Sequence, residues 1–186
     1  TREVIPRELR LDDGSSVVDG EMVNYCDPVG IHESMTRLIL HRAAEVAPGL
    51  APADTSLFVV GHGTKLNAKS TEAIKAQVEA IASGDHGYAE VLDAYMEEAP
   101  FIAKWDELSA AENVVVVPFF IADGLHSYQD IPVMLGIERE LTAAASEREV
   151  FRENPYELRG KTLFYSSAVG TDTLMPDVIL DQVRAF

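Results

Sequence analysis

Two things are scarce in this chain: sulfur ligands and positive charge. Cys26 is the single cysteine among 186 residues. No disulfide and no thiolate metal cluster can form within one chain, so any metal site must use nitrogen and oxygen donors. Lysine and arginine number 15 against 31 acidic residues, a net charge of −16. That balance excludes the phosphate-backbone attraction that drives nucleic-acid binding, and an anionic membrane surface would repel the chain. Long apolar runs are missing too. None approaches the roughly 18 residues a membrane span needs, and no basic-then-apolar leader is visible. A cytoplasmic protein with neither nucleic-acid nor membrane partners is expected. The first residue is Thr1 rather than Met, which is read as processing or as a piece of a longer polypeptide.

Several signatures of phosphate and acyl chemistry are also absent. "LFVVGHGTKLN", residues 57–67, ends an apolar run on a histidine flanked by glycines. A histidine phosphatase would place Arg-His-Gly at such a strand end, but Gly61 stands where that arginine would be. A dinucleotide fingerprint needs Gly-x-Gly-x-x-Gly, and this stretch supplies the first two glycines alone. Neither a Gly-x-Ser-x-Gly elbow nor a Gly-Lys-Ser/Thr phosphate loop occurs.

What is present is an alternation of strands and helices. Strand-like runs fall at Met22–Cys26, Ser56–Val60, Glu90–Tyr95, Asn113–Pro118 and Thr162–Ser166. Helical spacing fits roughly 33–47, 67–82, 99–111, 128–145 and 173–185. Strands as continuously apolar as "NVVVVPFF" are expected in a parallel sheet covered on both faces. The fold class is therefore α/β, a three-layer parallel-sheet module of the flavodoxin-like kind.

The chain echoes itself at a shift of 140 residues. Residues 20–42, "GEMVNYCDPVGIHESMTRLILHR", align without gaps to 160–182, "GKTLFYSSAVGTDTLMPDVILDQ". Gly20/Gly160, Tyr25/Tyr165, Val29/Val169, Gly30/Gly170, Met35/Met175, Ile39/Ile179 and Leu40/Leu180 are identical pairs. Each copy reads as strand, Val-Gly turn and helix. Residues 1–50 are accordingly expected to be the closing strand and helix of a preceding related module, and 55–186 a complete module.

In open parallel sheets, ligands bind beyond the carboxyl ends of the strands. His62 follows the first strand of the main module, Glu97 and Glu98 follow the second in "AYMEEAP", and His126 follows the third in "PFFIADGLHSYQDIP". Two imidazoles and a carboxylate suit a borderline divalent ion such as cobalt, iron, nickel or zinc. The same groups accept protons near neutral pH. His32, His41 and His86 show no partner pattern and are read as surface residues.

"VVGHGTKLN", followed by "VVVVPFFIADGLHSYQDIPVMLGI" with the second histidine 64 positions after the first, resembles the class II tetrapyrrole chelatases of the CbiX and SirB type. The closing "GKTLFYSSAVGTDTLMPDVILDQV" is similar to the end of the short members. The resemblance covers roughly 57–183. It implies a compact α/β module that inserts cobalt or iron into sirohydrochlorin for cobalamin or siroheme. His62, His126 and Glu97 would be the metal-binding and proton-accepting groups, with Glu98 as the alternative to Glu97. The metal would be substrate and no organic cofactor is implied. A second chelatase-like module, covalently attached or as a homodimer partner, would close the cleft. Thr64 replaces the more usual serine and keeps its hydroxyl. Lys65 and Lys69 are the nearest candidates to offset the repulsion between a −16 chain and a macrocycle bearing eight carboxylates. Two other uses of these residues remain open: an idle chelatase-like partner module, and a metal carrier or sensor that ignores the macrocycle.

Overall fold

The structure is a computed structural model and describes residues 4–11, 14–64, 68–140 and 149–185. In chain order it contains α1 (Val4–Leu9), β1 (Ser15–Val18), β2 (Glu21–Asn24), α2 (Met35–Val46), β3 (Thr55–Gly61), α3 (Ala68–Ser83) and β4 (Glu90–Tyr95). These are followed by α4 (Trp105–Leu108), β5 (Asn113–Pro118), α5 (Ile131–Leu135), β6 (Tyr156–Leu158), β7 (Lys161–Tyr165) and α6 (Met175–Arg184). The main sheet has the order β4-β3-β5-β7-β6. Its first four strands are parallel, and β6 pairs antiparallel with β7 at one edge.

Every residue of β3 is buried, as a central strand with helices on both faces requires. Alternation along the strands builds two cores. Leu57, Val59, Val115 and Val117 face α2 and α3, whereas Phe58, Val60, Val114 and Val116 face Ile102, Trp105, Ile131 and Leu135. Trp105 is wholly buried, and its indole N–H donates to the Leu135 carbonyl at 3.0 Å. That bond satisfies a polar group that would otherwise be buried unpaired.

All five expected strands and three of the expected helices lie within two residues of their observed bounds. Residues 21–24 form a separate antiparallel hairpin with β1, apart from the main sheet. The other two helices differ for local reasons. The helix expected over 128–145 is cut at Leu135, because Gly136 takes a left-handed conformation (φ +85°) that caps it; residues 141–148 lie outside the described residues. The stretch 99–111 yields a 3-10 turn and the single-turn α4. Helix α2 is a layer of the main fold, since Met35, Leu38, Ile39 and Ala43 share one core with β3 and β5. Among the described residues no helix is long and apolar enough to cross a membrane.

Candidate metal and proton-transfer site

The site forms where β3, β4 and β5 end together. Register pairs Val60 with Ala94 on one side and Pro118 on the other, so the segments leaving these strands emerge on one edge. His62 follows β3 directly. Gly63 then adopts φ +69°, and a Cβ placed there would sit 2.6 Å from Tyr95 Cβ and 2.7 Å from Glu98 Cγ. Only glycine lets the turn lie this close to β4.

That closeness aligns the second group. The His62 carbonyl accepts the N–H groups of Met96 (3.1 Å) and Glu97 (3.0 Å), which clamps the exit of β4 to the exit of β3. The Glu97 carboxylate then lies 3.6 Å from His62 Nε2. Glu98 faces another way and accepts the Thr71 hydroxyl of α3 at 2.6 Å. The structure thus separates two adjacent acids that the sequence could not.

The third group arrives on a π-helical turn, His126–Asp130, a local widening often found at functional sites. The His126 and His62 rings meet edge-on, with centroids 5.0 Å apart and planes at 66°. His126 Nδ1 lies 2.6 Å from Asp130 Oδ2. A carboxylate accepts, so Nδ1 is the donor to Asp130, and in the neutral ring Nε2 offers the lone pair. Asp130 was not among the expected site residues, although its position four residues after His126 in "HSYQD" was visible. The turn is braced from below by the Tyr165 hydroxyl, which donates to the Ser127 carbonyl at 2.7 Å. Complete burial pushes the Tyr165 phenol well above its ordinary value.

The groups are open to solvent, with side-chain exposures of 38% for His62, 60% for Glu97 and 45% for His126. Their ligating atoms do not all lie within 4.8 Å of one another. This is a splayed set that can receive an ion and let it go, unlike the tightly closed set of a structural site. Lys69 sits in the first turn of α3; Lys65 lies outside the described residues.

A tighter trio, His41, Glu45 and Asp172, lies elsewhere; His41 is at the surface as expected, but it has a partner. His41 Nδ1 is 2.8 Å from Asp172 Oδ2. Arg42 already occupies the cluster, donating to Glu45 at 2.6 Å and to the Thr171 hydroxyl at 3.0 Å, with Nε 3.4 Å from Asp172. A guanidinium among the carboxylates makes this an ion-pair network joining α2 to the turn before α6, and it would repel a metal ion. His32 is likewise engaged, its Nδ1 accepting the Ser34 N–H at 3.2 Å.

Comparison with known proteins decides the family, because the CbiX family model matches residues 56–185. The chain belongs to the CbiX family. Among curated relatives, a probable sirohydrochlorin cobaltochelatase of Halobacterium salinarum is 34% identical over 98% of this chain and 66% of that protein. A sirohydrochlorin cobaltochelatase of Methanopyrus kandleri is 27% identical over 69% of this chain and 94% of that protein. Among solved structures, a multi-domain Deinococcus radiodurans protein with structural similarity to chelatases superposes with a TM-score of 0.71, at 26% identity, over 97% of this chain and 37% of that one. The chain therefore spans about two-thirds of the H. salinarum relative and a smaller share of the D. radiodurans protein.

Proposed function

We propose that this CbiX-family chain carries the site of a chelatase that inserts a divalent metal, cobalt(II) or iron(II), into sirohydrochlorin in cobalamin or siroheme formation. The observation that carries the reading is the convergence of His62, Glu97 and His126 on one strand edge, with Asp130 setting the tautomer of His126. Insertion exchanges two pyrrole protons for one dication: the macrocycle loses two N–H protons, and the incoming ion sheds its waters. A splayed His/His/Glu set serves both halves of that exchange. Imidazole nitrogen and carboxylate oxygen hold the ion loosely while it dehydrates, and the same groups take up the released protons. The names of the curated relatives favour cobalt(II) as the ion. The reading includes a second chelatase-like module that covers the open side of the site, and it places the protein in the cytoplasm.

The test is anaerobic absorption spectroscopy of sirohydrochlorin with cobalt(II) or iron(II), with and without protein. Acceleration over the protein-free rate is expected, falling by at least about 100-fold in His62→Ala or His126→Ala. Tight cobalt binding with no change in the macrocycle's spectrum would overturn the reading in favour of a metal carrier.

A further inference from the structure

The two Val-Gly turns of the internal echo both lie against the segment that leaves β5 and leads to His126. Gly30 faces Phe119, where an added Cβ would sit 3.4 Å from the ring. Gly170 is closer still: a Cβ there would stand 2.0 Å from the Ile121 carbonyl oxygen and 2.4 Å from Ile121 Cα. The obstacle is backbone, so no side chain can swing aside, and only glycine lets the segment lie against this turn. The Gly170 N–H uses that closeness and donates to the Phe120 carbonyl at 2.9 Å.

Beyond Phe120 the segment has little to hold it. Ile121 and Leu125 are 67% and 64% exposed, and Ala122 and Gly124 are exposed as well. A stretch so poor in buried contacts opens at low cost unless something ties it down. Asp123 is the tie. Its Oδ1 accepts the Ala168 N–H at 2.7 Å, and its Oδ2 lies 3.0 Å from the Thr171 hydroxyl. Among the described residues, these are the hydrogen bonds that join residues 121–125 to another element. An ionised acceptor makes such bonds shorter and stronger than those between neutral groups.

The turn that receives Asp123 is firm. Ala168 and Val169 are buried. Thr171 Oγ1 also accepts Arg42 Nη2 at 3.0 Å, which fastens the turn to the ion-pair network on α2. One end of the Asp123 contact is therefore packed core, and the other is an open loop.

His126 comes three residues after Asp123. The chain beyond it is already fixed, since Ser127 is buried and its carbonyl accepts the Tyr165 hydroxyl. Asp123 fixes the chain before it. Neither the His126 nor the His62 ring is enclosed by neighbours, so the backbone decides where the His126 ring stands. We propose that Asp123 is a positioning residue for the metal site. By clamping residues 121–125 to the 168–171 turn, it holds His126 at the spacing from His62 and Glu97 at which one ion reaches all three. The inference rests on the reading of these three residues as the metal site.

Cobalt(II) titration without macrocycle, followed by the metal's visible absorption, tests this role. Asp123→Ala should weaken binding about tenfold. Its cooperative urea transition shows that the fold survives, as a part-exposed loop position allows. Asp123→Asn keeps an oxygen for the Ala168 N–H and should bind within about threefold of the unsubstituted protein. In a His126→Ala background, Asp123→Ala should change the affinity by less than about twofold, because its effect passes through a ring that is gone. Unchanged binding in Asp123→Ala would overturn the proposal. So would an Asn variant as weak as the Ala variant, or an undiminished loss in the His126→Ala background, which would mark an effect that bypasses His126. If the unsubstituted protein binds no cobalt, the metal site falls and this role with it. The expected pattern of affinities with no metal insertion into added sirohydrochlorin would count against the proposed function and leave the positioning role intact.

Discussion

Removing the Asp172 carboxylate should destabilise the protein more than any single change at the solvent-open site. Its side chain is wholly buried. It accepts the Leu174 N–H at 2.8 Å, faces His41 at 2.8 Å and lies 3.4 Å from Arg42 Nε, which has no hydrogen-bond partner of its own. Asp172→Ala would leave the Arg42 guanidinium, 10% exposed, with Thr171 and the half-exposed Glu45. Breaking a buried pair by deleting one partner costs about 3–5 kcal/mol, and the lost Leu174 bond contributes about 1 kcal/mol of that. Glu45 keeps part of the charge balanced, so the lower end, about 3 kcal/mol, is expected. With a urea m-value of about 2–3 kcal/mol/M, the unfolding midpoint should fall by roughly 1–1.5 M with m unchanged. Asp172→Asn keeps an acceptor for Leu174 and should lose about 1–2 kcal/mol. Adding Arg42→Met to Asp172→Ala should recover much of the loss, because the uncompensated charge is then gone. A loss below about 1 kcal/mol for Asp172→Ala, or strictly additive effects in the double variant, would refute the reasoning.

Asp130→Ala should weaken cobalt(II) binding by about 10–100-fold, because His126 loses the acceptor that orients its ring; the check is titration of the metal's visible absorption, with partial rescue by Asp130→Glu. Glu97→Gln should slow metal insertion at least about tenfold, whereas Glu98→Gln, its oxygen held by Thr71, should leave the rate within about twofold; the reverse ranking would reassign the carboxylate. Stability should hold up to about pH 10 and then decline. Burial pushes Tyr156 up to about 12 and holds Tyr165 well above its ordinary value, so the unfolded chain, whose tyrosines ionise near 10, releases protons first as pH rises. Tyr156→Phe should flatten that decline between about pH 10 and 12, measured by circular dichroism at fixed urea concentration.

The contrast between Glu97 and Asp130 shows how far the sequence reached. His62, Glu97 and His126 could be placed at strand ends because continuous apolar runs mark buried parallel strands, and the residue after such a run must leave the sheet at its carboxyl edge. The Asp130 partnership was not legible because the helical spacing starts at about 128 and leaves His126 outside the helix, whereas the structure begins the helical turn at His126 and so brings the i,i+4 pair together. Glu97 and Glu98 are chemically alike, and the choice between them rests on two backbone N–H groups reaching the His62 carbonyl and on the Thr71 hydroxyl.

Local pattern was enough for the α/β class, four strands of the main sheet, the long helices and the edge on which His62, Glu97 and His126 converge, since periodicity and glycine placement act over a few residues. It was also enough to find the repeat. Tertiary packing was needed for everything that joins distant parts of the chain. The His41–Asp172 pair spans 131 positions, and nothing near either residue announces the other. Whether residues 21–24 extend the sheet or pair with a neighbour depends on what lies beside them. So does the burial of an isoleucine, 0% exposed at Ile39 and 48% at Ile179: matching sequence builds the same helix twice, and the surface available to cover it sets its environment.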